Sequence, residues 1–521
     1  MAQEGWDFGL LLSGGRYRPR KSVILCDLKW SWEAGLVNLV AKIAKCRCRT
    51  GMQNSANPPV NYLEKSMKKI ILLLAGMIAG VTLMSEVSAL PLFARQTGMA
   101  CSACHFQHFP MLNGFGRAFK STGYTMIGAE GKVEAEGLSI PDTLNMAVST
   151  TTGYEKSNQA PGAAGVNSTG NGAFYVPGSG GVLSLQFGGR VSGNTGFLAE
   201  VAKGGAVAGT TVSGVRSSAK MPVLYDVSAS GYKWAEGTRI GFVPFSTDAN
   251  GASYGFELLN TGANAVQLMS DTPGLNGAHS AVLSAQQYIG TAGAATGIAF
   301  VASSPLGFIN LTKYDQTGIA QGSLAVLGST YLRVAGLFDL AGWDAGAGFQ
   351  NWSGSSLNAA SNPAMAPASY GVISTKASAI DGQMQGRLAD MPVGFYASYA
   401  WAPANSANAY NMDPAAAVLG TAVASANGTA TKSALNCSFE MGIIPDKATL
   451  GAAFRYGSSG VAVGTASNAS DNAIMLVATY KLAQNMLASF TLTSASGQYW
   501  DAAHQNALGS KTTTFNLSTL F

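Results

Sequence analysis

Charged side chains are scarce in this sequence. Asp, Glu, Lys and Arg make up 11% of its 521 residues, under half the share of an ordinary soluble domain, so neither a polyelectrolyte nor a charge-rich disordered chain fits. The formal net charge of +5 belongs to one end of the chain. Of 32 Lys+Arg and 27 Asp+Glu, 12 and 6 fall within residues 1–89, leaving 20 against 21 and a net charge of about −1 for the remainder. No basic field for nucleic acid survives. Histidine occurs four times, at 105, 108, 279 and 504, and cysteine six times, at 26, 46, 48, 101, 104 and 437, which excludes a dense disulfide framework and a multinuclear Cys/His metal cluster. From about residue 142 onward no apolar run is long enough for a membrane helix. Neither a Ser/His/Asp constellation nor a phosphate-binding glycine loop is present after residue 89, so hydrolase and transferase chemistry has no candidate residues.

What is present begins with "MACSACHFQHFP", Met99 to Pro110. Cys-x-x-Cys-His is the attachment signature of a c-type haem: Cys101 and Cys104 would form thioethers to the vinyl groups, and His105 would be the proximal iron ligand, on which redox catalysis would rest. The distal side is less determined. His108, three residues beyond His105, shares its face in a helix, whereas a distal ligand approaches from the opposite side of the porphyrin. It therefore suits a supporting or propionate-facing role better than iron ligation. Met126, with 21 residues of chain available to turn around the haem edge, is the preferred distal candidate; Met111 and an open sixth position are alternatives, and plain packing is the simple account of either methionine. His279 and His504 fall in long polar segments and read as solvated, and Cys437 reads as a packed thiol in a strand.

Haem of this type is attached outside the cytoplasm, and an export signal is expected. "MKKIILLLAGMIAGVTLMSEVSA", from Met67, supplies it: two lysines, an apolar run from Ile70 to Met84, and small residues Val87 and Ala89 where a signal peptidase reads. Residues 67–89 are thus read as a signal peptide with Leu90 opening the exported chain. Residues 1–66 are read as an extension from an upstream start site, with no assigned fold.

From about residue 142 onward, stretches of roughly ten residues alternate apolar with polar or small side chains. In "NAIMLVATYKL", Ile474, Leu476, Ala478, Tyr480 and Leu482 share one face; after the turn Ala483, Gln484, Asn485, "MLASFTLTSAS" alternates again. Short breaks are read near 192–195, 234–237, 304–305, 341–343, 389–391, 445–447 and 483–485. Long Gly/Ala/Ser/Asn-rich segments fall near 155–180, 205–220, 247–295, 317–329, 354–373, 404–433, 459–471 and 497–511. Strict alternation of short and long breaks predicts an all-β fold: a sixteen-stranded antiparallel transmembrane barrel, short turns in the periplasm and long loops outside. Threading two more strands through 247–295, around Ala281 to Tyr288, gives eighteen as the alternative. That longest segment follows the fifth strand, where general porins fold a loop into the lumen, and the same is expected here. Tyr154, Tyr314, Tyr331, Trp343, Trp352, Trp401 and Tyr456 sit at strand ends like interfacial girdles, and the terminal Phe521 suits a barrel assembly signal.

Residues 90–141 are left for the cytochrome c segment and 142–521 for the porin-like barrel. A segment of roughly 50 residues is marginal for independent stability, so the haem needs a shield from elsewhere. A sixteen-strand barrel has a lumen wide enough for a plug. Phe106, Phe109, Leu112, Phe115, Phe119 and Tyr124 offer wall material, and the segment is expected to plug or cap the periplasmic mouth.

"PLFARQTGMACSACHFQHFPMLNGFGRAFKSTGYTM", Pro91 to Met126, resembles the N-terminal signature of the fused monohaem cytochrome–porins that neutrophilic iron-oxidising bacteria use as outer-membrane iron oxidases. Over the barrel the resemblance is architectural only. It implies one covalent haem c on Cys101, Cys104 and His105, a barrel spanning outer-membrane lipid, and one-electron transfer from extracellular Fe(II) to a periplasmic c-type cytochrome. Electron export to an extracellular acceptor, a solute porin with a structural or regulatory haem, and a haem-based catalyst such as a peroxidase are the competing readings. Loop acids Asp248, Glu257, Asp271, Asp315 and Asp413 are candidate transient ligands for the iron, carboxylates being hard donors.

Overall fold

The computed structural model describes residues 92–521 apart from 129–130, 136–137, 143, 159–171, 204–214, 231–235, 249, 263–283, 317–325, 359–370, 405–407, 412–427, 464 and 501–509. The readings for residues 1–66 and 67–89, and those for His279, His504, Asp271 and Asp413, lie outside the described residues.

Three short helices come first: α1 (Leu92–Thr97), α2 (Cys101–Cys104) and α3 (Gly114–Ser121). A small hairpin, Lys132–Ala135 with Leu138–Pro141, follows. The barrel then runs through β1 (Met146–Ser157), β2 in the pieces Gly172–Pro177, Gly180–Gly181 and Leu183–Arg190, β3 (Gly196–Lys203), β4 as Val215–Lys220 with Val223–Asp226, and β5 (Arg239–Thr247). Next come β6 (Ala295–Ser304), β7 (Gly307–Asp315), β8 (Ser329–Leu340), β9 (Trp343–Asn358), β10 as Gly371–Ser374 with Ala377–Leu388, and β11 (Met391–Ala402). The wall finishes with β12 (Lys432–Ile444), β13 (Ala448–Ser458), β14 (Asn472–Ala483), β15 (Met486–Ser496) and β16 (Lys511–Leu520). Strand β16 pairs antiparallel with β1, Phe515 opposite Tyr154, and closes the sheet. Sixteen strands form the barrel, and each of the seven expected short breaks is a connection at the same end. Two of them, Ala341–Gly342 and Ala389–Asp390, hold positive φ at both positions, the two-residue geometry whose twist matches a hairpin.

The wall is inside-out relative to a soluble protein. On β7, Ile309 and Leu311 are 48% and 43% exposed while Asn310 and Thr312 between them are fully buried. Phe490 and Leu492 face out from β15 with Thr491 and Thr493 inside. Apolar outside and polar inside is the pattern of a barrel in lipid. Four sequence readings are corrected. Tyr314, Tyr331 and Trp352 do not form a girdle; they are buried in an interior cluster with Phe256, Leu259 and Tyr410. Cys437 is not packed in a core, because Asn436 and Glu440 are the inward residues of β12 and Cys437 lies on the other face, opposite Ala397 and Phe454. Val215–Lys220, read as loop, is strand paired to β3. The eighteen-strand alternative fails because Ala285–Ile289 is a helix, α4, opened by a Ser284/Gln287 capping box.

The segment after β5 turns inward. Residues 251–262, apart from the partly buried Tyr254, and most of 284–292 are buried, and they reach across to strands remote from β5 and β6. Gln286 Nε2 donates to the Thr261 carbonyl at 2.8 Å, the Ala285 amide donates to Ser398 Oγ of β11 at 3.1 Å, and Tyr288 Oη donates to Asp471 at 3.1 Å. The main anchor is Arg333 of β8, whose guanidinium donates to Glu257 Oε2 (3.0 Å) in the loop and to Asp381 Oδ2 (2.8 Å) on β10. Thr261 Oγ1 also donates to Asp381, at 2.6 Å. Burial pushes the Glu257 carboxyl above its ordinary range, against the pull of Arg333.

Candidate haem-attachment site

Helix α2 is a single turn that puts Cys101 and Cys104 three residues apart on one face, closed by the His105 amide donating to the Cys101 carbonyl at 3.0 Å. Both thiols are unpaired and half-buried, free to take a covalent partner. The chain then reverses over 105–112. His105 and Leu112 form an antiparallel bridge, flanked by Phe106 N–H to Met111 O (2.8 Å) and Asn113 N–H to Cys104 O (3.0 Å). Asn113 also caps α3 through its side chain and donates from Nδ2 to the Ala103 carbonyl at 3.0 Å. Helix α3 lies so close to α2 that a Cβ on Gly116 would stand 2.2 Å from the Cys104 carbonyl oxygen.

Fit to a c-type haem is tested by the axial histidine. His105 Nδ1 is 3.2 Å from the Met111 carbonyl oxygen, and a carbonyl only accepts, so Nδ1 carries the proton and the Nε2 lone pair is the one available to iron. Burial drives the ring down to a pKa of about 4, so it is neutral at physiological pH, as a ligand must be. Two thiols on one turn and a neutral imidazole with its outer nitrogen tied down fit the group.

His108 turns elsewhere. Its Nδ1 donates to the Phe109 carbonyl at 2.7 Å and its Nε2 to Glu440 Oε1 of β12, also at 2.7 Å, so neither nitrogen is left for iron or for a propionate. That corrects the weaker distal candidate. Burial opposes a charge on this ring, but the Glu440 carboxylate outweighs it and holds the pKa above the ordinary value. Met111 is fully buried and its carbonyl meets Nδ1 of His105, away from the Nε2 that would face iron, which disfavours it as a distal ligand. Met126 is half-buried and keeps its place as a candidate; its carbonyl, with that of Tyr124, accepts from Gln96 Nε2 (2.6 and 2.7 Å), tying 124–126 to α1.

Residues 92–128 have a small aromatic core of their own: Phe93 stacks on Tyr124 and meets Phe119 edge-on, each at 5.0 Å. Phe115, expected in the wall, is exposed. Other contacts of the segment go to the barrel's short-turn end. Arg95 donates to the Met146 carbonyl, Gln107 to that of Pro392 (3.3 Å), and Arg117 to Asp344 and, at 3.5 Å, Gln385. Glu440 and Gln385 are inward residues of their strands, so His108 and Arg117 bond to side chains on the inner face of the wall. Asn260 of the inward loop meets the segment there, exchanging hydrogen bonds with the Leu112 backbone. Sequence reasoning did not find Glu440, Asn260, Gln96 or Asp344; the asparagine before "GFGRAFK" was a readable helix cap. The described loop acids are committed within the protein: Glu257 to Arg333, Asp248 to Ser218, Asp315 to the Val326 amide. Among the described residues no group of three or more His, Cys, Asp or Glu could hold a separate metal ion.

No family model and no curated protein matches the chain. Solved structures similar to it include OmpF of Salmonella typhi in complex with daunomycin (11% identity, covering 75% of this chain and 100% of that one, TM-score 0.44), and the outer-membrane channel DcaP of Acinetobacter baumannii (11%, 75% and 100%, 0.39). OmpT of Vibrio cholerae is a third (8%, 75% and 100%, 0.37). At these scores the likenesses carry no argument about what the chain does.

Proposed function

We propose that the chain is an outer-membrane electron-transfer protein that oxidises extracellular Fe(II) and delivers single electrons, through one c-type haem, to a periplasmic cytochrome. One observation supports the reading: the segment that carries the attachment motif bonds through His108 and Arg117 to the inward residues Glu440 and Gln385, near the barrel's short-turn end, the periplasmic end in barrels of this type. Cys101 and Cys104 would anchor the group and His105 would ligate its iron, and the bound haem would supply a one-electron redox centre. His105, neutral and held through Nδ1, presents Nε2 in a fixed direction. Phe93, Phe119 and Tyr124 pack α1 and α3 together, while His108–Glu440 and Arg117–Asp344 tie the segment to the wall strands. Resemblance of Pro91–Met126 to the cytochrome–porin iron oxidases supports the direction of flow. Ferric iron precipitates near neutral pH, so a cell living on ferrous iron gains by importing only the electron, and one haem must then be reachable from both faces of an apolar band of about 25 Å.

Anaerobic addition of Fe(II) to the purified oxidised protein tests this at neutral pH. The haem absorption bands should move to those of the reduced form, and unchanged bands would remove the proposal. The inward loop clamped by Arg333 favours a second reading, a solute porin with a haem of structural use. Liposome swelling separates the two: a plugged barrel excludes small sugars and an open pore passes them.

A further inference from the structure

We propose that Asn260, on the inward loop 148 residues beyond Leu112, is a positioning residue for the axial ligand His105; this rests on the haem reading above. Because His105 and Leu112 pair through flanking bonds (Phe106 N–H to Met111 O, Asn113 N–H to Cys104 O), the Leu112 N–H and C=O point away from His105. Buried backbone groups need partners. Asn260 supplies both: its Oδ1 accepts from the Leu112 N–H at 2.8 Å and its Nδ2 donates to the Leu112 C=O at 2.9 Å. Its side chain acts as a one-residue third strand.

The Leu112 N–H belongs to the same planar peptide unit as the Met111 C=O, and it is the Met111 oxygen that accepts from His105 Nδ1 at 3.2 Å. Asn260 therefore sets the tilt of the plane that orients the imidazole. A hydrogen bond accepted from the N–H also polarises that peptide and makes its carbonyl a better acceptor, which raises the basicity of the histidine as a ligand. Asn260 is 3% exposed, and its own amide donates to Gln383 Oε1 of β10 at 2.6 Å. A continuous chain of bonds thus runs from barrel wall to loop to haem ligand. A local structural role for Asn260 would need none of this alignment.

The test is made on full-length holoprotein, with heat-modifiable electrophoretic mobility confirming that the barrel is closed. Two readouts are taken: the haem midpoint potential, and solvent exchange of the paramagnetically shifted His105 Nδ1 proton. Asn260→Ala should raise the potential and speed exchange of that proton about tenfold, the factor one ordinary hydrogen bond is worth. Asn260→Asp, ionised or protonated, keeps an acceptor for the Leu112 N–H, so its potential should stay at or below that of the unaltered protein. Gln286→Ala cuts another tie of the same loop, to Thr261, and should move neither readout. An unshifted Asn260→Ala, a raised potential in Asn260→Asp, or an equal shift in Gln286→Ala overturns the proposal. Should Asn260→Ala not assemble, a lowered potential in Asn260→Asp with Gln286→Ala unmoved supports the proposal, and an unchanged or raised one overturns it. If the unaltered protein carries no covalent haem, the haem reading falls and takes this one with it; haem with an unshifted potential removes only the role of Asn260.

Discussion

Removing the Glu440 carboxylate should release the N-terminal segment from the barrel mouth. His108 and Glu440 meet at 2.7 Å with side chains 1% and 4% exposed, and taking one partner from a buried pair costs about 3–5 kcal/mol. His108 can shed its proton and escape the worst of that, which places Glu440→Ala near the lower figure, about 3 kcal/mol or roughly a hundredfold in the docking equilibrium. Asp344, the partner of Arg117, is 36% exposed on its side chain, so Asp344→Ala should cost about 1 kcal/mol or less. Hydrogen–deuterium exchange of the 105–112 backbone in the assembled barrel reads both. The pH dependence has a definite sign. The folded pKa of His108 is raised, so its contribution is complete below the unfolded value of about 6.5 and is lost as pH climbs through the raised folded value. Protection corrected for intrinsic exchange should therefore decline on the alkaline side, and Glu440→Ala should lack that decline. Identical exchange in Glu440→Ala and the unaltered protein at every pH would refute the reasoning.

Three further outcomes are expected. Met126→Ala should change the oxidised and reduced haem spectra while His108→Ala leaves them alone; a spectral change in the histidine variant alone would reverse the distal assignment. Gly116→Ala pushes a methyl to 2.2 Å from the Cys104 carbonyl oxygen and should cut covalent haem incorporation several-fold, measured as pyridine haemochrome per barrel. Arg333→Ala strands Glu257 and Asp381 without their shared cation, a loss of about 3–5 kcal/mol, and should appear as raised current noise in planar bilayers as the inward loop loosens.

The barrel was legible because its signals are local. A tight turn such as Ala389–Asp390 breaks the apolar alternation where it occurs, and the period of two assigns each strand residue to one of two faces. Which face meets lipid is not local. At strand ends Tyr314, Tyr331 and Trp352 look like interfacial aromatics, yet the inward loop brings Phe256 and Leu259 beneath them and makes an apolar core inside. Val215–Lys220 reads as loop because Ser218 and Lys220 face the lumen and their polarity imitates one. At the candidate site, the Cys-x-x-Cys-His spacing is local, and the structure has Cys101 and Cys104 on one helical turn with His105 next to it. His108 was not, because its partner lies 332 residues away and nothing near residue 108 announces a carboxylate on β12.

The proposed passage of charge across the membrane, with the iron left outside, is measured directly in sealed proteoliposomes with oxidised cytochrome c trapped inside, the short-turn end of the barrel facing inward, and Fe(II) added outside without oxygen. Reduction of the trapped cytochrome, abolished by His105→Ala, is the predicted result. A trapped cytochrome that stays oxidised while the protein's own haem is intact would contradict the account.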